Sequence, residues 1–330
     1  YWRWGKLVQA EAQLRALIGQ VSGNDRTRLL ELSIRLGRVL REQGRSEEAW
    51  PLLQNGLGQA EQLYGRRSRH VLELDDALAD LHMDSGRWDV ALAHFQQRLT
   101  LGAQVEGPDS LGVAMAQFNL ALLEQQRGNH ARAGELLQQS WQSRVAVLGA
   151  DVPMSWRAAV GLAQWHLAQG QVERAGELIG PASAGLSTAL PVDAPGRIEA
   201  QIVLAQWELA AGRIEQALQR YRHLAAQTQM PVPMRLAVHG LCQSLQQAGR
   251  GDLQAAVVCA GNELELAQQH YGEQAPATAF ARLRMAGLLA QKGELPTARR
   301  LANQAAAVLE PLQVPGSPLL QTLRQLQQTP

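Results

Sequence analysis

Along this chain apolar residues return every three or four positions, the spacing that gathers them on one face of an α-helix. The stretch from Leu120 to Ala133, LALLEQQRGNHARA, contains the whole unit: the end of one helix, a turn at Gly128 and the start of a second helix. Leu120 and Ala121 stand eight and seven residues before the glycine, and Ala133 stands five after it. The same arrangement recurs at Gly44, Gly86, Gly128, Gly170 and Gly212, each step 42 residues. It continues at Gly249 or Gly251 after a shorter step, and at Gly293, 42 beyond Gly251.

The recurring residues have a physical reason. Two antiparallel helices joined by a tight turn approach closely only where side chains are small. Position minus seven supplies Gly37, Ala79, Ala121, Ala163, Ala205, Cys242 and Ala286. Position plus five supplies Ala49, Ala91, Ala133, Ala175, Ala217, Ala256 and Ala298. The glycine ends the first helix, where a left-handed residue is needed. A second set of marks, among them Tyr64-Gly65, Gly107-Pro108-Asp109, Leu148-Gly149, Leu190-Pro191, Met230-Pro231 and Tyr271-Gly272, separates one unit from the next.

The pattern therefore predicts first helices near 28–43, 69–85, 111–127, 153–169, 195–211, 233–248 and 276–292. Second helices follow near 46–63, 88–104, 130–147, 172–188, 214–229, 252–270 and 295–311. Residues 1–27 read as a partial repeat and residues 28–314 as seven hairpins. In residues 315–330, Ser317-Pro318 opens a capping helix whose apolar stripe is Leu319, Leu320, Leu323 and Leu326. The expectation is a single all-α solenoid domain.

Composition removes several function classes. A net charge of +1 among 31 basic and 30 acidic residues gives no nucleic-acid footprint. No apolar run reaches the roughly 18 residues of a membrane span. There is no P-loop, G-x-S-x-G or dinucleotide fingerprint and no metal-ligand spacing, so neither an enzymatic activity nor a cofactor is expected. Arg250-Gly251-Asp252 is read as a chance tripeptide. The start, Tyr1-Trp2-Arg3-Trp4 with Lys6, has the aromatic and basic composition common where a chain leaves a membrane. That reading favours a periplasmic ectodomain anchored through upstream sequence, against the plainer one in which the tryptophans cap the first helix.

With Leu-Gly or Leu-Ala in the first helix, Gly at the turn and Ala early in the second, the chain resembles the tetratricopeptide repeat family. The 42-residue period is similar to the longer subtype of kinesin light chain and of many bacterial signalling proteins. Gln117-Phe118-Asn119-Leu120-Ala121 resembles that subtype's L-N-N-L-A, and Gly107-Pro108-Asp109-Ser110 its loop. The resemblance implies a right-handed superhelix whose first helices line a concave face, and a role in holding protein or peptide segments. The subtype's second Asn, which resembles a backbone clamp for peptide, survives here only as Asn119. Arg35, Ala77, Gly161, Val203, Gly240 and Arg284 stand at the equivalent positions.

On that face the expected partner-binding residues are Met115, Phe118, Asn119, Gln126, Arg157, Gln164, Gln206, His239 and Gln243. A charged end is expected from Arg35, Arg38, Asp76, Asp80 and Asp84. For Met115 and Phe118 the competing reading is packing against neighbouring repeats. For the charged set it is a solvated face. Trp165 and Trp207, at equivalent positions, are read as packing between repeats. His82, Glu124, His166 and Glu208 share one position in four successive repeats. They either form a titrating ladder or are satisfied one by one. Cys242 and Cys259 lie in the two helices of one hairpin and are either bridged or plainly packed. The function expected is a non-enzymatic binding scaffold, the sensor or interaction region of a larger bacterial signalling protein such as a membrane-anchored kinase or a transcriptional regulator. The alternative is a structural assembly module, including a homodimer.

Overall fold

The computed structural model of the protein describes residues 7–227, 230–249 and 251–328. The aromatic and basic start and Arg250 of the tripeptide lie outside them. Helix α1 (Leu7–Gln20) precedes seven hairpins. These are α2 (Arg26–Glu42) with α3 (Ser46–Tyr64), α4 (Arg69–Asp84) with α5 (Trp88–Val105), and α6 (Leu111–Gln126) with α7 (His130–Leu148). Next come α8 (Pro153–Ala168) with α9 (Val172–Ala189) and α10 (Pro195–Ala210) with α11 (Ile214–Ala225). The last two are α12 (Val232–Ser244) with α13 (Leu253–Tyr271) and α14 (Pro276–Gln291) with α15 (Leu295–Leu309), followed by α16 (Pro318–Gln328). Among the described residues there is no strand, and no helix is long and apolar enough to cross a membrane.

Each turn is built as its glycine requires. At Gly128, φ is +82°, a conformation that a side chain disfavours. Its N–H donates to the Gln125 carbonyl (3.1 Å), and the N–H of Asn129 reaches back to the Glu124 carbonyl (2.8 Å). This pair of bonds satisfies carbonyls that the helix end leaves orphaned. The same two bonds recur at Gly44, Gly86, Gly170, Gly212 and Gly293. The small residues do what their spacing predicts. A Cβ on Gly37 would come within 2.6 Å of the Leu53 side chain. Ala79, Ala121, Ala163, Ala205 and Ala286 are fully buried, as are their counterparts Ala49, Ala91, Ala133, Ala175, Ala217 and Ala256.

Two helix ends differ from the pattern. The second helix expected over 214–229 stops at Ala225, because apolar spacing ends at Leu224 and Pro231 draws Met230 out of the helical region. The first helix expected over 233–248 is regular only to Ser244, then closes as a π turn over Leu245–Gly249. Repeat six reaches Gly251 in 39 residues rather than 42, and the wider turn absorbs the difference in phase.

Contacts divide the chain into two compact units, residues 1–123 and 124–330, with the division inside α6. The first unit has a core of Leu30, Ile34, Leu53, Leu74, Leu78 and Leu81 with their neighbours. In the second, apolar clusters follow one another along the hairpins and end where Leu323 of α16 covers Leu283 and Leu309. Buried or half-buried arginines tie the loops between hairpins. Arg144 donates to the Met154 carbonyl (3.2 Å), Arg197 to that of Leu190 (3.0 Å) and Arg282 to that of Glu273 (2.7 Å).

Candidate functional site

The expected charged end belongs to the first unit and is largely occupied by its own partners. Asp76, Asp80 and Asp84 are spaced by four on α4, so they form one stripe. Arg41 of α2 donates Nη1 to Asp80 (2.9 Å) and Nε to Asp84 (2.5 Å). Arg98 of α5 donates Nε to Asp76 (3.2 Å), and Arg38 donates to the Glu73 carbonyl (3.1 Å). Burial works against the Arg41 charge, but Asp80 and Asp84 outweigh it and its pKa rises. Burial raises Asp80, with Arg41 opposing, and pushes Asp76 up to about 7 against Arg98. Of the charged set only Arg35 is exposed. The competing reading of a solvated face is corrected: the stripe faces arginines, because α2 and α4 pack side by side.

Met115, Phe118 and Asn119 lie on α6 within the first unit. Met115 is 45% exposed, and Phe118 and Asn119 are half-buried. The other expected residues lie in the second unit. Arg157 and Gln164 are exposed on one stripe of α8, and Gln206, one repeat on, is half-buried on α10. None of these three makes a side-chain hydrogen bond among the described residues. Arg157 lies across the start of α10, where a Cβ on Gly196 would stand 3.2 Å from its Cδ. Nearby Glu199 is raised by burial, with Arg157 opposing. His239 is half-buried, and burial lowers its pKa while Glu263 opposes.

Two expected contact residues have other work. Gln243 is buried and donates to the buried carboxylate of Glu263, which also accepts from Arg284 Nε (3.1 Å). Its side chain turns inward to this carboxylate instead of outward to a partner. Gln126 keeps an exposed side chain, but its carbonyl accepts a bond from Gln313 Nε2 (2.6 Å).

The shared His/Glu position is buried in all four repeats, and three of the four groups are dealt with inside their own hairpin. Glu124 accepts from Asn129 (3.2 Å), His166 Nδ1 meets Gln171 Oε1 (2.7 Å), and Glu208 accepts from Arg220 (2.7 Å). His82 alone makes no hydrogen bond. It packs on Trp50 and His94, with ring centroids at 4.7 and 5.5 Å. Trp165 and Trp207 are packing residues. Each lies over a glycine of the preceding second helix, Gly134 and Gly176, and donates its indole N–H to a carbonyl there, His130 (2.9 Å) and Val172 (3.0 Å).

One feature was not anticipated. A cleft of about 550 Å³ lies beside α10 and α11, lined by Gln201, Glu208, Gln216, Gln219, Arg220 and His223. Its floor is polar because Gln201 bonds Ser183 and Ser187 of α9 as well as Arg220. The signal available in the sequence was a polar residue, Gln201, at a position that is Ala159 one repeat earlier.

Residues 69–144 match the family described as Tetratricopeptide repeat. No curated protein resembles the chain closely enough to count as a match. Among solved structures, the Rap protein complexed with Competence and Sporulation Factor is similar with a TM-score of 0.65 at 12% identity, covering 92% of this chain and 79% of that one. BtubC (BKLC) from P. vanneervenii is similar with a TM-score of 0.52 at 19% identity, covering 72% and 91%. A kinesin light chain from Podosopora anserina with nearly identical TPR-like repeats gives 0.49 at 24% identity, covering 60% and 93%. With hairpins in phase before and after the matched segment, the chain has a tetratricopeptide-repeat-like fold.

Proposed function

We propose that the chain is a non-enzymatic scaffold that holds a protein or peptide segment against its first helices. In a larger bacterial protein this would make it a sensor or interaction region, and residues 1–330 would act as one solenoid. The observation that carries the reading is the set Arg157, Gln164 and Gln206. On successive first helices these three leave a cation and two amides without side-chain hydrogen bonds among the described residues. Amides at this spacing suit the N–H and C=O groups of an extended segment, and the guanidinium suits a carboxylate. The first unit offers a contact of its own, the adaptable apolar side chain of Met115. The Rap protein's complex with Competence and Sporulation Factor is a parallel for such a role.

A random peptide library selected on the intact chain tests this, with affinities measured by fluorescence anisotropy. Arg157→Glu and Gln164→Ala should each weaken the selected peptides roughly tenfold or more. Peptides that bind both variants as well as the unmodified chain would remove these residues from the site. Self-association is the second reading. It draws on Val8 and Leu17, which α1 leaves exposed. Sedimentation of the chain against Val8→Asp and Leu17→Asp separates the two readings.

A further inference from the structure

In a linear stack of hairpins each repeat touches only its neighbours. The second unit has an additional contact that joins its two ends. The segment between α15 and α16 returns to the turn between α6 and α7. Val314 donates its backbone N–H to the Arg127 carbonyl (2.9 Å), and Gln313 Nε2 donates to the Gln126 carbonyl (2.6 Å), residues 187 apart in sequence. Ser317, which caps α16 by accepting from the N–H of Leu320 (3.3 Å), is 2% exposed and lies directly against Gly128. A Cβ on Gly128 would collide with that of Ser317 and stand 3.1 Å from Gln313 Oε1. By contrast, a Cβ on the turn glycines Gly170, Gly212 or Gly293 would meet nothing within 4 Å. Gly128 thus meets two demands at once, a left-handed backbone and room for a distant segment.

We propose that residues 313–317 form a clasp that closes the second unit onto its own first turn. Its described contacts are two hydrogen bonds and one close packing contact, and it opens there locally while α15 and α16 stay folded.

The glycines supply a matched control. Gly128→Ala and Gly170→Ala both place a Cβ on a left-handed backbone, φ +82° and +70°, but only the first meets Ser317. Hydrogen exchange on the full-length chain reads the clasp directly at the amide of Val314. Gly128→Ala should speed that exchange about tenfold or more while Gly170→Ala leaves it unchanged. Gln313→Ala imposes no backbone strain and should speed it by roughly threefold to tenfold. Equal exchange at Val314 in both glycine variants, or no change in Gln313→Ala, overturns the clasp. Should Gly128→Ala fail to fold, Gln313→Ala decides alone.

Discussion

His82 is buried, makes no hydrogen bond, and is surrounded by Trp50 of α3, His94 of α5 and the Arg87 charge. Burial first, then Arg87 and His94, hold its pKa near 4, against about 6.5 for an unperturbed histidine. The folded protein therefore keeps His82 neutral where the unfolded chain takes up a proton. Its contribution is fully present above about pH 6.5 and is lost as pH falls toward 4, a change on the order of 3 kcal/mol. Asp76 acts in the opposite sense. With a folded pKa pushed up to about 7, it binds its proton earlier in the folded state and adds stability over much the same fall in pH. His82→Phe should therefore gain stability relative to the unmodified chain between pH 7.5 and 5. Urea midpoints at the two pH values check this, and a difference that does not change with pH counts against a neutral, buried His82.

The hairpin is the scale at which the repeat is made and at which it is most disturbed. Regular hairpins follow from a left-handed glycine, small residues on facing helices and a tryptophan or leucine filling the step to the next repeat. Hairpin six departs from this. Its first helix ends in a π turn, and the helix before it, α11, is the shortest of the second helices. It is also where a covalent tie occurs, since Cys242 of α12 and Cys259 of α13 are joined in a disulfide with Cα atoms 6.0 Å apart. Closing a loop of 17 residues should stabilise the chain by about 3 kcal/mol. Replacing both cysteines by alanine is expected to lower the denaturation midpoint accordingly, and reductant should do the same to the unmodified chain but not to the variant. Two free thiols titrating in denatured, unreduced protein would contradict the bridge. The disulfide falls on the side of the bridge, between two readings, bridge and plain packing, that residue types and spacing left open.

At the scale of the molecule the exposed ends matter most. Helix α16 is polar outward and covers Leu283 and Leu309 with Leu323, itself fully buried. Deleting residues 318–328 should uncover that surface and lower the cooperativity of unfolding, since a repeat array without its polar cap is left sticky. The truncated chain is expected to self-associate at concentrations where the full chain does not, as sedimentation would record. A truncated chain with the same sedimentation and the same denaturation curve would mean that α16 is not a cap.

The sequence by itself determined the hairpins. Helix type, turn positions and the contact alanines depend on residues at most a few turns apart, so a periodic pattern of Leu, Ala and Gly carries them completely. All fourteen paired helices accordingly begin within two residues of the expected positions, and twelve also end within two; α11 stops four residues short and α12 gives way to the π turn. The packing of Trp165 and Trp207 was legible for the same reason. What the sequence could not determine is which polar groups find each other. Arg41 meets Asp80 and Asp84 across a helix interface, Gln243 is drawn inward to Glu263, and Glu124, His166 and Glu208 each find a separate partner rather than forming a ladder. Those pairings depend on rotations between helices that no spacing rule encodes. The contact of Gln313 and Ser317 with the turn at Gly128 lies further still from local rules. It comes from small angular steps added over successive hairpins, so only the tertiary structure decided it.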